Sequence, residues 1–195
     1  IRTCSAVHRQ VKKIERRHLF GSPGRTPRGR RKPRGRPPWY VYALSRHQRP
    51  KLDYYATHLF LSAHSVRVDD SGELHKTEID AFINERWIIT VRKNDDFSML
   101  PVLRRWDRSG ALAKYGVSFL LYGLLDVIVD GYFVTVQAFD DFYDEVSDRI
   151  FSEQPLDPAK QRHWFEMRRS LVQFHRLVVP MREAVSSLMR REHSA

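Results

Sequence analysis

A chain of 195 residues has room for one domain with a tail or a helical extension. Its formal charge of +11 is unevenly distributed along the chain. Residues 1–51 hold 16 Lys/Arg and one acid, whereas residues 52–195 hold 18 Lys/Arg and 22 Asp/Glu. A charge argument for nucleic acid therefore applies to the N-terminal segment alone, and the single cysteine, Cys4, excludes an internal disulfide and a cysteine-ligated metal site.

The N-terminal segment, residues 1–43, is rich in Arg, Pro and Gly, and we predict a disordered basic tail because it has little apolar surface to bury. Within it, Lys32–Pro37 resembles an AT-hook. In that interpretation Arg34, Gly35 and Arg36 lie in a narrow A·T minor groove, where the potential attracts guanidinium groups. Chance recurrence of Arg, Pro and Gly is the alternative, and the residues alone favour it.

Residues 44–115 have a globular composition, and we predict that they form a partial α/β domain. Apolar and β-branched runs bounded by turn residues predict strands, and a three-to-four-residue spacing predicts a short helix. The predicted elements are a buried strand at Leu59–Val66, a turn at Asp69–Gly72, strands at Lys76–Ile83 and Trp87–Val91 joined as a hairpin, and a helix at Met99–Arg108.

The pattern of apolar and helix-boundary residues in 116–195 predicts two long helices. Apolar residues recur three or four apart from Leu121 to Ile150, and Pro155 cannot continue that helix. Asp157 followed by Pro158 is typical of a helix start, and the second helix is predicted from Ala159 to His193. The fold class is therefore α+β, an α/β remnant followed by a long antiparallel helical hairpin.

An unbroken heptad-type seam follows the second helix. Its members are Trp164, Met167, Leu171, Phe174, Val178, Met181, Val185 and Leu188. A helical adaptor that uses this seam for a partner is one interpretation, and it requires the seam to be exposed. The most apolar stretch, Val117–Val136, is interrupted by Asp126 and Asp130, so we predict that this chain, as it stands, is soluble and does not cross a bilayer.

Asp140, Asp144 and Asp148 are four residues apart and share one face of the first long helix, here called the acidic face. Like charges at that spacing destabilise a helix, and Mg²⁺ favours a few carboxylates while it keeps several waters. The acidic face is therefore a candidate metal site. The alternative, which the residues alone favour, is an ordinary solvated surface whose charge is partly balanced by Arg149, Lys160 and Arg162.

The sequence contains no His-Glu-x-x-His, no glycine-rich phosphate loop and no nucleophile elbow. We therefore predict that the chain is not an enzyme, and we assign no catalytic residue.

Several separate segments resemble, in the correct order, those of CorA-type metal-ion transporters. They are His47–Tyr54, which begins HQRPK, then Leu59–Leu61, Trp87–Arg92, Leu120–Asp126, Val129–Tyr132, Met167–Leu171 and Val179–Glu183. The resemblance runs from about Leu44 to His193.

The resemblance implies the cytoplasmic part of a Mg²⁺ or Co²⁺ transporter, which acts in metal sensing and gating at the cytoplasmic face of the cell membrane and lacks the pore. It further implies a homo-oligomer, a pentamer in the family, that reaches the membrane through C-terminal helices absent from this sequence. Mg²⁺, or Co²⁺, is expected as a regulatory ligand between neighbouring copies, with Asp69 and Asp70 the nearest equivalent positions. Nucleic acid is a partner only in the alternative, a nucleic-acid-binding protein that uses Arg34, Gly35 and Arg36.

Overall fold

The structure is a computed structural model that describes residues 48–150 and 158–192. Its elements are β1 (Lys51–Tyr54), β2 (Leu59–Val68), β3 (Leu74–Ile83), β4 (Ile88–Arg92), α1 (Leu100–Arg108), a 3-10 helix (Gly110–Tyr115), α2 (Val117–Ile150) and α3 (Pro158–Glu192). The predicted strands, the short helix and both long helices are confirmed. The predicted disordered tail, residues 1–43, lies outside the described residues, so it stays a prediction.

The four strands form one antiparallel sheet in the order β1-β2-β3-β4. β2 and β3 pair without interruption from Leu59 opposite Ile83 to Val68 opposite Leu74. The turn between them contains Gly72 at a φ of 86°, a left-handed conformation that glycine adopts without steric cost. In the β3–β4 turn, the Asn84 side chain accepts backbone hydrogen bonds from residues 86 and 87, which closes the hairpin.

Helix α2 packs directly on strand β2. The Tyr132 hydroxyl donates to the backbone carbonyl of His64 at 2.6 Å, and an ideal Cβ on Gly131 would lie 3.5 Å from the carbonyl oxygen of Val66. These two carbonyls point to the same edge of β2, beyond Ser62, where pairing with β1 ends. The helix therefore covers a strand edge that would otherwise present unpaired backbone groups.

Helix α1 is joined to α2 by charged and aromatic contacts. The Arg105 guanidinium bonds to the carboxylate of Asp126 and, at 2.8 Å, to that of Asp130. The Trp106 indole donates to the Leu120 carbonyl at 3.2 Å and lies against Gly123, where a Cβ would clash with the ring. Both aspartates in the apolar part of α2 therefore have a partner within the fold.

Helix α3 runs antiparallel to α2. The His163 ring contacts Phe142 near the C-terminal end of α2, whereas Phe174 contacts Phe139 and Tyr132, which lie further back along it. These contacts confirm the predicted antiparallel pair. The seam of α3 packs against the core that both helices share with the sheet, with Met167, Phe174 and Met181 almost fully buried. The seam is therefore not exposed for a partner, which removes the adaptor interpretation.

By length and composition, Val117–Asp148 of α2 could span a membrane, which corrects the prediction that Asp126 and Asp130 exclude it. Within this fold one face of α2 belongs to the core, since Leu124 and Ile128 are completely buried, whereas Phe133 and Val134 are each 70% exposed. A membrane-spanning helix and a helix that packs in a protein core can have the same apolar composition, so a count of apolar residues does not distinguish these two kinds of helix.

Candidate functional site

The predicted metal ligand Asp69 lies in the β2–β3 turn. Its Oδ1 accepts hydrogen bonds from the Ser71 amide at 2.9 Å, the Ser71 hydroxyl at 2.6 Å and the Glu73 amide at 3.0 Å. Its Oδ2 lies 2.6 Å from Nε2 of His75. The ligand atoms of Asp69, Glu73 and His75 all lie within 4.8 Å of one another, so these three residues could hold a metal ion.

The bonding around Asp69 also has a purely structural role. Hydrogen bonds from Ser71, and then from His75, hold the pKa of the Asp69 carboxyl well below its usual range. The carboxylate is therefore ionised at neutral pH, and four donors already occupy it. A metal ion would have to displace some of these bonds. Asp70, the other predicted ligand in this turn, is exposed and does not join the group.

The acidic face, Asp140, Asp144 and Asp148, lies on the exposed side of α2. Successive members are about 6 Å apart along the helix axis, from a rise of about 1.5 Å per residue. Within the described residues no ion pair involves them, and their oxygens do not converge on one point in a single copy. Their role as metal ligands stays a prediction.

A buried polar group lies in the middle of the sheet, on strands β2 and β3. Asp80 and Ser62 are completely buried and face each other across the two strands, and His64 and Glu78 form the next such pair, 3% and 7% exposed. The Lys93 ammonium, just after β4, lies 2.9 Å from Oδ2 of Asp80.

Burial shifts the titration of this group. Burial raises the pKa of the Asp80 carboxyl, and the bond to Lys93 opposes that rise. Burial lowers the pKa of His64 from 6.5 to about 4, with a further contribution from the positive charge of Lys76. The His64 imidazole is therefore neutral at physiological pH.

Sequence reasoning missed this group, although a signal was present. Ser62 and His64 interrupt an apolar run at alternate positions, and Glu78 and Asp80 do the same on the next strand. A hairpin centred on the predicted turn, Asp69–Gly72, would have placed all four side chains on one face of the sheet.

The predicted DNA contacts Arg34, Gly35 and Arg36 lie outside the described residues. They also fall at the start of the stretch matched by the family comparison below. DNA binding by these residues stays a prediction.

The arrangement of the sheet and the two long helices is shared with a solved structure described as the full-length CmaX protein. The TM-score is 0.62 at 20% sequence identity, and the match covers 80% of this chain and 47% of that one. At this identity the likeness shows a common fold: an α+β sheet with long antiparallel helices.

The family follows from the sequence comparison. The model of the CorA-like Mg²⁺ transporter protein family matches residues 34–195, so the chain belongs to the CorA family. The cobalt/magnesium transport protein CorA of Thermotoga maritima is 27% identical over 150 residues, 75% of this chain and 42% of that protein. The putative metal ion transporter YfjQ of Bacillus subtilis is 25% identical over 146 residues, 75% of this chain and 44% of that protein. The chain thus spans less than half the length of these relatives.

Proposed function

We propose that this chain is the cytoplasmic, metal-sensing and gating part of a CorA-type transporter of divalent cations, with Mg²⁺ or Co²⁺ as the transported and regulatory ions. The family match over residues 34–195 supports a role in cation transport. The relatives extend well beyond the matched stretch, and we assign the membrane pore to the part of such a protein that this chain does not match. In this proposal the chain contributes no catalytic chemistry.

The observation that carries the proposal is the acidic face. Its three carboxylates, those of Asp140, Asp144 and Asp148, are exposed, and no cation of the described residues pairs with them. Repulsion at i, i+4 spacing destabilises the helix, and a divalent cation would relieve it. Because the carboxylates do not converge within one copy, the remaining ligands would come from water and from a neighbouring copy. Metal binding would then hold copies together in a homo-oligomer, a pentamer as the family resemblance implies.

The test is a Mg²⁺ titration of the full chain, from zero to about 10 mM, roughly tenfold above the dissociation constant of about 1 mM that the weakest Ca²⁺ sites of proteins show. The melting temperature and the oligomer size by analytical ultracentrifugation are measured at constant ionic strength. The triple variant Asp140→Asn, Asp144→Asn, Asp148→Asn should lose both Mg²⁺ responses. Two separate variants, Asp70→Asn and Glu73→Gln, measure the contribution of the β2–β3 turn, the second because Glu73 belongs to the group that could hold a metal ion.

A matched control removes three exposed acids elsewhere, Glu85→Gln, Asp96→Asn and Asp107→Asn. It changes the net charge by the same amount as the triple variant and should keep the Mg²⁺ response. The sensing proposal fails if the wild-type chain shows no Mg²⁺-dependent change in either quantity, or if both triple variants lose the response equally.

A further inference from the structure

A cleft of about 600 Å³ opens beside the buried polar group, where the chain enters β1. Its walls come from five parts of the fold: the residues before β1, strands β2 and β3, the turn after β4, and the middle of α3 near Pro180. Cavities of about 300–1,000 Å³ are typical of small-molecule sites.

The charge of this cleft is predominantly positive. Four cations line it, Arg49, Lys76, Lys93 and Arg176, against a single carboxylate, that of Glu78. Lys93 is paired with the buried Asp80 behind the wall. Among the described residues, no acidic side chain lies within ion-pair distance of the other three cations. With Lys93 set against Asp80, three cations face the one carboxylate of Glu78, so the cleft carries a net charge of about +2 within the described fold.

A buried side chain in the wall has unused hydrogen-bonding capacity. His64 is 3% exposed, lines the cleft, and has no hydrogen-bond partner for Nδ1 within the described part of the chain. Most buried polar atoms in native proteins are paired, so such an atom beside a cleft indicates a ligand or an ordered water. The N-terminal segment that leads into the cleft cannot supply many negative charges to it, because residues 1–47 hold 14 Lys/Arg and only one acidic residue.

We infer that this cleft binds a phosphate-bearing small molecule larger than inorganic phosphate, through Arg49, Lys76 and Arg176. A phosphate ester carries about −1.5 to −2 charges at pH 7, so one such group matches the net charge of the cleft. The planar guanidinium of arginine bonds two phosphate oxygens at once, and two of the three cations are arginines. The volume leaves room for an organic group beside the phosphate. This inference is independent of the proposed role in metal transport.

The test uses the full chain, without Mg²⁺, at constant ionic strength. Affinities for ADP, pyrophosphate and inorganic phosphate are measured by titration calorimetry, and melting temperatures with and without each probe. ADP should bind more tightly than inorganic phosphate and raise the melting temperature, because it binds the folded state. Arg176→Gln should weaken ADP binding about tenfold, and Lys76→Gln with Arg176→Gln should weaken it about a hundredfold, the range for lost charged hydrogen bonds.

A matched control addresses the basic N-terminal segment, which also attracts anions. Lys114→Gln with Arg168→Gln removes the same charge at exposed positions outside the cleft, so it should leave ADP affinity within about twofold, as expected of surface positions. Lys76 and Arg176 are themselves exposed, so their substitution leaves the core intact. The inference is overturned if the two double variants bind ADP equally, or if inorganic phosphate binds as tightly as ADP.

Discussion

The Lys93 ammonium lies 2.9 Å from Oδ2 of Asp80, a carboxylate with no solvent-exposed surface in the centre of the sheet. A buried charge that loses its partner remains desolvated and unpaired, which is far more destabilising than the loss of an exposed ion pair. Lys93→Met should therefore lower the free energy of unfolding by about 3–5 kcal/mol at neutral pH. Urea unfolding of the wild type and of Lys93→Met, monitored by circular dichroism, measures this loss.

The double variant Lys93→Met with Asp80→Asn should recover part of that loss, because it removes both charges. The deficit of Lys93→Met alone should shrink as the pH is lowered, since the pKa of Asp80 is already raised by burial and a protonated carboxyl needs no cation. Lys114→Met, at an exposed position, is the control and should be nearly neutral. A deficit equal to that of the control would contradict the role assigned to this pair.

His64 should make the stability of the fold depend on pH. Its pKa falls from 6.5 in the unfolded chain to about 4 in the folded one, so the unfolded state binds the proton more readily. The free energy of unfolding is therefore unaffected by His64 protonation above pH 6.5 and decreases as the pH falls from 6.5 toward 4. The loss reaches about 3 kcal/mol, at about 1.4 kcal/mol per unit of pKa difference.

Replacement of this histidine by a group that does not titrate isolates that contribution. His64→Gln should show a flatter fall in the free energy of unfolding between pH 7 and pH 4 than the wild type, whatever its absolute stability. The measurement is a set of urea unfolding curves across this range. His175→Gln, at an exposed position, should retain the wild-type slope. Identical slopes for wild type and His64→Gln would show that the His64 pKa is not lowered.

The long elements of this fold could be predicted because each buries one periodic stripe. Met167, Phe174 and Met181 are seven residues apart, and all three are buried, as the heptad spacing requires. Strand β1 was not predicted, since Lys51 and Asp53 flank its single aliphatic residue, Leu52, and only pairing with β2 makes it a strand. Local sequence carries little information about an element whose stability comes from its neighbour.

The charged cleft could not be predicted for a different reason. Arg49, Lys76 and Arg176 come from widely separated positions, and only the packing of α3 near the sheet brings them to one cavity. The turn that contains Asp69 could be predicted from the sequence, because its residues, Asp69–Gly72, are contiguous. Its hydrogen bonds to Ser71 and Glu73 are those of a turn in which an aspartate caps the following amides.

The contact between α2 and the edge of β2 should contribute measurably to stability. Tyr132→Phe removes the hydroxyl that donates to the His64 carbonyl at 2.6 Å and leaves that acceptor without this donor. We expect a loss of about 1–2 kcal/mol in the free energy of unfolding. Tyr122→Phe is the control, because the Tyr122 side chain is 58% exposed on the same helix and should be nearly neutral. Equal stabilities for the two variants would argue against a role for this bond.

The packing of α3 against the β2–β3 turn depends on Gly72. A Cβ at this position would lie 2.9 Å from Cγ of Met167, and the φ of 86° is itself strained for any residue with a Cβ. The Gly72 carbonyl also accepts a hydrogen bond from the Ser170 hydroxyl at 2.6 Å, so the turn cannot shift away without loss of that bond. Gly72→Ala should therefore lower the free energy of unfolding by about 2 kcal/mol or more.

The control is Gly110→Ala, where no atom lies within 4 Å of the added methyl group. It should change the free energy of unfolding by less than about 0.5 kcal/mol. Thermal and urea unfolding of both variants measure the difference, and equal stability of the two would place the turn and α3 further apart than described.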